Sequence, residues 1–394
     1  MHRVALLLIL LLFLLIPDSY IYFLYIRRQT KKTCWRVAYW MPSLLLLIGY
    51  FLLLFAVGEN AMAHHATAIG RYAVCVFLLV LPKTLFLLCS LVGLPLRWWR
   101  PRWSRPFTWA GLLLGAVVFA GVLYGSLVGI GRFQTREVVF SHPRIPAGFD
   151  GYRIVQLSDI HIGSWRDNGR PIARLVDKVN ALQPDLILFT GDLVNQRSDE
   201  LTDFRALLSG LHAPDGVYSV LGNHDYGTYY HWGSAQAEAA NLRSLLRLQR
   251  EMGWSLLDNA HVVLHHRGDS IALVGVGNQG RPPFSQHARL AQAAAGTDSL
   301  FRILMSHDPT HWRSEVLPKT SIELMLAGHT HAMQLILFGH SPSELLYPEW
   351  RGLYTEGAQS LYVNIGIGYV GLPFRLGAWP EITLFTLKSS PPGA

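Results

Sequence analysis

The sequence predicts an all-α transmembrane bundle followed by a layered α/β or α+β sandwich. Four apolar stretches, each with the ~20 residues that cross a ~30 Å hydrocarbon core, fall in the first third of the chain. The rest alternates short apolar runs with helical spacings, as stacked layers of sheet and helix require. Charge divides at the same place: residues 1–131 hold 12 Lys+Arg and 2 Asp+Glu, net +10, whereas residues 132–394 hold 22 and 24, net −2. With 51% apolar and 15% charged residues, the chain is neither disordered nor collagen-like. Its basic character belongs to the membrane part, which argues against a nucleic-acid-binding surface on the remainder. Cys34, Cys75 and Cys89 all precede residue 131, so the sandwich must rest on an apolar core without disulfides.

The four stretches are 4–26, 37–57, 72–95 and 109–131. The first reads as a span or as a signal peptide. Met1-His2-Arg3 precedes a run from Val4 to Ile16, but no small-residue cleavage site follows, and the run resumes at Tyr20 after Pro17-Asp18. Arg27, Arg28, Lys31, Lys32 and Arg36 separate the first two stretches, and Arg97, Arg100, Arg102 and Arg105 the last two. These positive charges assign both loops to the cytoplasm, with Trp98, Trp99 and Trp103 as an interfacial belt. The loop from Gly58 to Ala68 carries only Glu59 and is expected to face outward. An outside N-terminus then places everything after residue 131 outside the cytoplasm, anchored in the cytoplasmic (inner) membrane; one span more or fewer would reverse the side. Asp18 and Lys83 fall at comparable depth in spans one and three. Intramembrane charges are paired as a rule, so a contact between these two is expected.

In the second part, Arg153–Leu157 reads as a buried strand. Arg170–Leu182 reads as a helix, with Ile172, Leu175, Val176 and Val179 on one face and Pro184 beyond its end. A strand at 185–189 follows, then apolar runs at 217–221, 261–264, 271–276, 301–305, 322–326, 361–365 and 382–387, with a helix end in the Ala/Gln-rich piece 288–296. Five runs end in polar clusters: Ser158-Asp159-Ile160-His161, Thr190-Gly191-Asp192, Gly222-Asn223-His224-Asp225, Ser306-His307-Asp308 and Gly328-His329-Thr330-His331. Ligands in α/β sheets gather beyond strand carboxyl ends, so these clusters can converge on one point. Carboxylate, imidazole and one amide oxygen, without thiolate, suit borderline divalent ions. Singly, an Asp-x-His or a Gly-Asp is the composition of an ordinary turn. Five such clusters in this order, each at a strand end, are not. Glycine before Asp192, Asn223 and His329 lets the backbone turn and approach a ligand closely.

The ordered series resembles the motif set of the calcineurin-like binuclear metallophosphoesterase family, over about residues 150–388. The closing Tyr362–Gly368 and Pro380-Glu381-Ile382 are similar to its membrane-associated or exported bacterial branch. The resemblance implies a four-layer sandwich of two central mixed β-sheets flanked by helices. Together with the four spans read from the apolar stretches, it gives the chain a plan of transmembrane domain 1–131, linker 132–149, metallophosphoesterase domain 150–388 and tail 389–394. It implies two divalent metal ions, Mn, Zn, Fe or Ni, one held by Asp159, His161, Asp192 and His331 and the other by the shared Asp192 with Asn223, His307 and His329. His224 would be a phosphate contact or leaving-group acid, oriented by Asp225. A metal-bridging hydroxide would attack phosphorus directly in a phosphate ester or pyrophosphate. In keeping with this, the chain shows no Ser or Cys triad, no Gly-x-Ser-x-Gly elbow and no P-loop. The branch commonly continues with Gly-Gly-Gln where this chain has Ala332-Met333-Gln334. That difference spares the ligands and bears on loop geometry and substrate shape.

Two segments between motifs, Tyr226–Trp232 and Gln334–Phe338, are apolar for loops beside a metal site. They read as a lip touching lipid, or as core packing and a further strand. Three functions stay open: a phosphoesterase acting on a lipid-linked substrate at the membrane, the same chemistry on soluble phosphodiesters or nucleotides, and a non-catalytic sensor or scaffold. The intact ligand set with the adjacent His224 argues against the third. No protein partner is inferable. His231, His261, His265, His266, His287, His311 and His340 lie outside the pattern and read as structural. Of these, His311 is four residues after His307 and is the one placed to neighbour it on a helical turn.

Overall fold

The computed structural model describes residues 2–56, 60–166 and 168–390; Gly58 and Glu59, at the start of the loop expected to face outward, and the end of the 389–394 tail lie outside the described residues. Two compact units make up the chain, residues 1–128 with 371–374 and residues 129–370 with 375–394.

The first unit contains α1 (His2–Ile21), which runs on through a π-turn to Gln29, α2 (Thr33–Ala56), α3 (Ala61–Trp99) and α4 (Pro101–Leu127). All four are long and apolar enough to cross a membrane. Arg97, Arg102 and Arg105, expected on a loop, lie on helix. Only Arg100 breaks the path, in extended conformation, because Pro101 starts α4 with no N–H to offer the preceding turn. Helices α3 and α4 pack closely through small residues. A Cβ on Gly111 would lie 3.1 Å from Cys89 Cβ and Phe86 Cα, and one on Gly115 3.1 Å from the Pro82 carbonyl. Asp18 is fully buried and paired with Lys83, as expected from the sequence. It also accepts hydrogen bonds from the Ser43 hydroxyl and, at 3.2 Å, from the Tyr39 hydroxyl.

The second unit holds twelve strands among the described residues: β1 (Gln134–His142), β2 (Arg153–Leu157), β3 (Leu186–Phe189), β4 (Val217–Ser219), β5 (Trp254–Leu256), β6 (Ala260–His266), β7 (Asp269–Gly275), β8 (Phe301–Met305), β9 (Leu324–Ala327), β10 (Gly352–Glu356), β11 (Gln359–Val363) and β12 (Glu381–Ser389). They form two six-stranded mixed sheets, in the orders β1-β12-β2-β3-β4-β5 and β10-β11-β9-β8-β7-β6. Side chains alternate between the faces of each strand and so build the layers. Ile154, Leu186 and Leu188 of the first sheet meet Ile303, Met305, Leu324 and Leu326 of the second. Val155, Leu157, Ile187 and Phe189 face the opposite way, toward α5 (Arg170–Ala181) and α6 (Ala235–Glu251). Leu304, Met325, Leu361 and Val363 pack outward against Trp312, Val316 and Leu290. This is the expected four-layer sandwich.

Segment 132–149 departs from expectation. It is not a linker but strand β1, paired in parallel with β12 from Gln134↔Glu381 to His142↔Ser389, followed by a helical turn at Ala147–Phe149. As an edge strand it buries only part of one face, so its apolar residues are too few to mark it in sequence. Strands β5 and β10 and helix α6 were likewise not foreseen. Strands β2, β3 and β4 run parallel in one sheet, β8 and β9 in the other, and all five polar clusters follow their carboxyl ends. Between the sheets the fully buried Gln156 ties the ends together, donating from Nε2 to the Ala327 carbonyl (2.8 Å) and the Thr190 hydroxyl (3.1 Å).

Candidate metal centre

Three of the five polar clusters enter the site through backbone that most residues avoid. Asp159, His161, Asp192, His329 and His331 all have positive φ, between 45° and 73°. Such conformations cost of order 1–3 kcal/mol each and persist only where the surroundings hold them. The glycines serve two ends. Gly191 has φ +98°, the turn anticipated before Asp192, whereas Gly222 and Gly328 are required for space: a Cβ there would overlap the Asp192 carboxylate in one case and Ser158 and the Asp159 carboxylate in the other.

The side chains converge as two linked groups. Asp159, His161 and His331 place one ligand atom each within 4.8 Å of one another, and so do Asp192, His307 and His329; a third group of His161, Asp192 and His224 bridges them. His161 Nε2 lies 3.0 Å from His331 Nε2, and His329 Nδ1 lies 3.3 Å from His307 Nε2. The carboxylates interleave with the rings: His331 Nε2 is 3.3 Å from Asp159 Oδ1, and Asp192 Oδ2 is 3.2 Å from His307 Nε2 and 3.6 Å from His161 Nε2. Asp192 therefore stands between the groups, where a shared ligand would have to be. Asn223 joins through its amide: Nδ2 donates to the Tyr229 hydroxyl at 2.8 Å, while Oδ1 is buried without a partner.

Burial and charge act in opposite directions here. Burial pushes the His161, His329 and His331 imidazoles below their ordinary range, toward the neutral form that binds metal. Burial would lower His307 too, but the Asp192 and Asp159 carboxylates outweigh it and raise His307 to about 10. Burial would raise Asp159 and Asp192, yet the surrounding histidines hold both below the usual carboxylate range. A buried cluster of carboxylates and imidazoles facing one another, with the unpartnered amide oxygen of Asn223 in the loop that follows β4, fits two divalent cations. The O/N donor set without sulfur fits Mn, Zn, Fe or Ni equally well.

The groups behind the ligands fix which atom faces inward. His307 Nδ1 donates to the Thr190 carbonyl at 2.8 Å, leaving Nε2 for the site. His329 Nε2 meets the Tyr347 hydroxyl at 3.0 Å and turns Nδ1 inward. His331 Nδ1 sits 2.9 Å from Nη2 of Arg375. Arg375 is a fully buried arginine that also donates to the carbonyls of Gly368 (2.7 Å), Ala378 (2.9 Å) and Ile365 (2.9 Å). Burial lowers its pKa to about 10.

His224 lies beside the groups, but the orientation expected from Asp225 is absent. The His224 ring is aimed by the Asn195 carbonyl, 2.6 Å from Nδ1, and flanked by Tyr229 with ring centroids 4.3 Å apart. Asp225 instead accepts four backbone N–H bonds, from Gly222, Asp192, Leu193 and Val194, at 2.9–3.2 Å. The physical reason is its burial beneath two loops whose amides no strand can pair. Burial, then the Asp192 charge, raise its pKa to about 7. His311 is buried against Ser306 and Glu315, both 2.9 Å from its ring nitrogens, and faces no ligand atom of the three groups. Asn195, Tyr347 and Arg375 escaped the sequence reading. Only Arg375 left a trace there, as a lone charge among Pro373, Phe374, Leu376 and Gly377.

Two family models match the chain. Residues 2–130 match "Probable Calcineurin-like phosphoesterase, transmembrane domain", and residues 152–344 match "Calcineurin-like phosphoesterase". Among curated proteins, the chain is 31% identical over 298 residues to uncharacterized metallophosphoesterase YkuE of Bacillus subtilis, covering 71% of this chain and 96% of that one. It is 29% identical over 286 residues to the transmembrane protein with metallophosphoesterase domain of Danio rerio, covering 70% and 62%. It is 29% identical over 272 residues to UDP-2,3-diacylglucosamine pyrophosphatase LpxG of Chlamydia trachomatis, covering 57% and 80%.

Proposed function

The chain belongs to the calcineurin-like phosphoesterase family, and from that premise we propose that it cleaves a phosphate ester or pyrophosphate bond in a lipid-linked substrate. It is a multi-pass membrane metallophosphoesterase, a metal-dependent phosphoric ester hydrolase. The observation that carries the reading is Asp192 standing between two groups of buried ligands, with the unpartnered Oδ1 of Asn223 on the residue before His224, whose N–H donates to Asp192 Oδ1. Asp159, His161, Asp192 and His331 would hold one ion, and Asp192, Asn223, His307 and His329 the other. Bound there, two divalent ions supply the Lewis acidity that activates water and neutralises the phosphoryl oxygens.

The chain's own residues do the rest. Thr190, Tyr347 and Arg375 hold three histidines in the orientation the ions need. His224, with Nδ1 committed to Asn195, keeps Nε2 free on the substrate side to contact phosphate or to protonate the departing oxygen. Burial of the ligand set excludes bulk water and strengthens each of these interactions. A lipid-linked substrate is supported by the membrane spans in the same chain and by the similarity to LpxG, whose name specifies a diacylated nucleotide sugar. The catalytic unit's net charge of −2 disfavours polymeric nucleic acid. The nine cations between spans support a catalytic unit outside the cytoplasm.

The test is hydrolysis by detergent-purified full chain, metal-stripped and reloaded, of an aryl phosphodiester, an aryl phosphomonoester and a lipid-linked pyrophosphate in mixed micelles. Metal-dependent turnover abolished by Asp192→Asn and greatest on the lipid substrate is the expected result. Turnover confined to the water-soluble esters would replace the lipid reading with soluble phosphodiesters.

A further inference from the structure

The segment that begins at His331 and ends at Tyr347 buries two serines and exposes a cluster of large apolar side chains. Ser343 is fully buried and Ser341 nearly so, with Ser341 Oγ donating to the Ala332 carbonyl at 2.7 Å. Ser341 and Glu344 close a capping box around the helical turn Pro342–Leu345, and the Ile336 N–H donates to the Leu376 carbonyl at 2.8 Å. The lobe is thus internally bonded and anchored. Ala332 and Ile336 pack inward, but five of its large apolar side chains point outward: Phe338 is 100% exposed and Leu345 87%, with Leu346, Leu337 and Met333 also exposed. Five of the nine large apolar side chains exposed between residues 129 and 390, among the described residues, lie in this one lobe. A folded loop that buries its serines and exposes Leu337, Phe338, Leu345 and Leu346 is built for an apolar medium.

We infer that residues 333–346 form an interfacial anchor that docks on a phospholipid bilayer, seating Phe338, Leu345 and Leu346 in the acyl boundary. The occupant follows from the chain itself. It carries four helices able to span a bilayer, and only six residues, 128–133, join the last of them to β1, a reach of roughly 20 Å. The lobe's ionisable groups are few, His340 and Glu344, which pair with each other at 3.1 Å, so docking is by apolar insertion and does not need anionic lipid. Both ends of the lobe belong to the metal centre: His331 supplies a candidate ligand, and Tyr347 holds His329. Docking would therefore set the metal centre at lipid level, where a lipid-linked phosphate lies. To that extent the inference deepens the proposed function.

The test uses full-length chain in phosphatidylcholine nanodiscs. With Cys34, Cys75 and Cys89 replaced by serine, an environment-sensitive fluorophore is placed at Phe338→Cys and, separately, at Leu345→Cys. Exposed Gln292→Cys, outside the lobe, serves as the control. Emission shifted to the blue at 338 and 345, quenched by spin-labelled lipid and insensitive to iodide, is expected, with the reverse at 292. It should persist in high salt and without anionic lipid. Iodide quenching at both lobe positions would overturn the inference. So would a blue shift that lipid-borne quenchers leave untouched, because the lobe would then be covered by protein. The readout needs no turnover, so a failed substrate screen and a water-exposed lobe are separate results.

Discussion

His307 and His329 touch, yet their pKa values are displaced in opposite directions. Burial depresses His329, whereas Asp192 and Asp159 overcome burial at His307 and raise it to about 10. An ion entering the second group must therefore expel the His307 proton. At pH 7 the metal-free protein carries that proton and the loaded protein does not. Metal affinity should rise roughly tenfold per pH unit up to about pH 10 and level off above it. In the metal-free protein the sign is the reverse: a raised pKa contributes stability that is complete below the unfolded histidine range and is lost as pH rises through about 10. Calorimetric titration with Mn in buffers of different ionisation enthalpy reads the proton directly; release of none at pH 7 would refute the assignment. Two neighbouring residues separate chemistry from support. His224→Ala should keep two ions per chain and lose about 10²–10⁴ of turnover on an ester with a poor leaving group. Asp225→Ala should leave four amides without their acceptor, lower stability by about 2–4 kcal/mol and reduce metal content. If both variants kept their metal and lost turnover alike, the support role of Asp225 would fall.

At the scale of elements, strand β1 carries the clearest consequence. Phe140 is 4% exposed and meets Phe301 of β8 with ring centroids 6.3 Å apart, so it lies between the two sheets. Phe140→Ala should cost about 3–5 kcal/mol of catalytic-unit stability, measured by denaturant unfolding of the full chain. A linker phenylalanine would cost next to nothing, so a change within about 0.5 kcal/mol would show that β1 is dispensable. The same strand marks the limit of what could be read in advance. Strands β2 and β3 are buried on both faces, and their apolar runs, broken in β2 only by Gln156 and ending in Ser158-Asp159 and Thr190-Gly191-Asp192, were legible together with the metal motif. Strand β1 reads Gln-Thr-Arg-Glu-Val-Val-Phe-Ser-His because an edge strand faces solvent. What selects it is pairing with β12 more than 200 residues later and the Arg136–Glu381 ion pair at 2.9 Å. Neither is a local property. The ligands were readable for a related reason: they cluster within a few residues of strand ends. Asn195, Tyr347 and Arg375 reach the site from separate loops, and no spacing announces them. The lobe lies between these cases, since its apolar letters were visible but the outward direction of Phe338 was not.

The whole molecule joins two parts that obey different solvents, and the membrane part has its own polar centre. Asp18 is fully buried and surrounded by Lys83, Ser43 and Tyr39, with Lys83 also donating to Ser43 Oγ at 3.3 Å. Three helices, α1, α2 and α3, each contribute to this cluster, so it can specify their register where apolar side chains alone would slide. A pair of this kind is weak evidence of net stability, because desolvation offsets attraction; its removal one partner at a time is the informative perturbation. Lys83→Met leaves a carboxylate in the bundle with only hydroxyl donors and should cost about 2–4 kcal/mol. Asp18→Asn in the same chain removes the stranded charge while the amide oxygen still accepts from Ser43 and Tyr39. The double variant should therefore regain at least half of the loss. Unfolding of the purified chain in mixed micelles, followed by helical circular dichroism, compares wild type, the two single variants and the double. Equal stability of Lys83→Met and the double variant would show that the two charges do not interact. The register of α1 against α3 would then have to come from the hydrogen bonds of Tyr20 and Tyr25 to Ser90 and the ring contact of Tyr25 with Phe86.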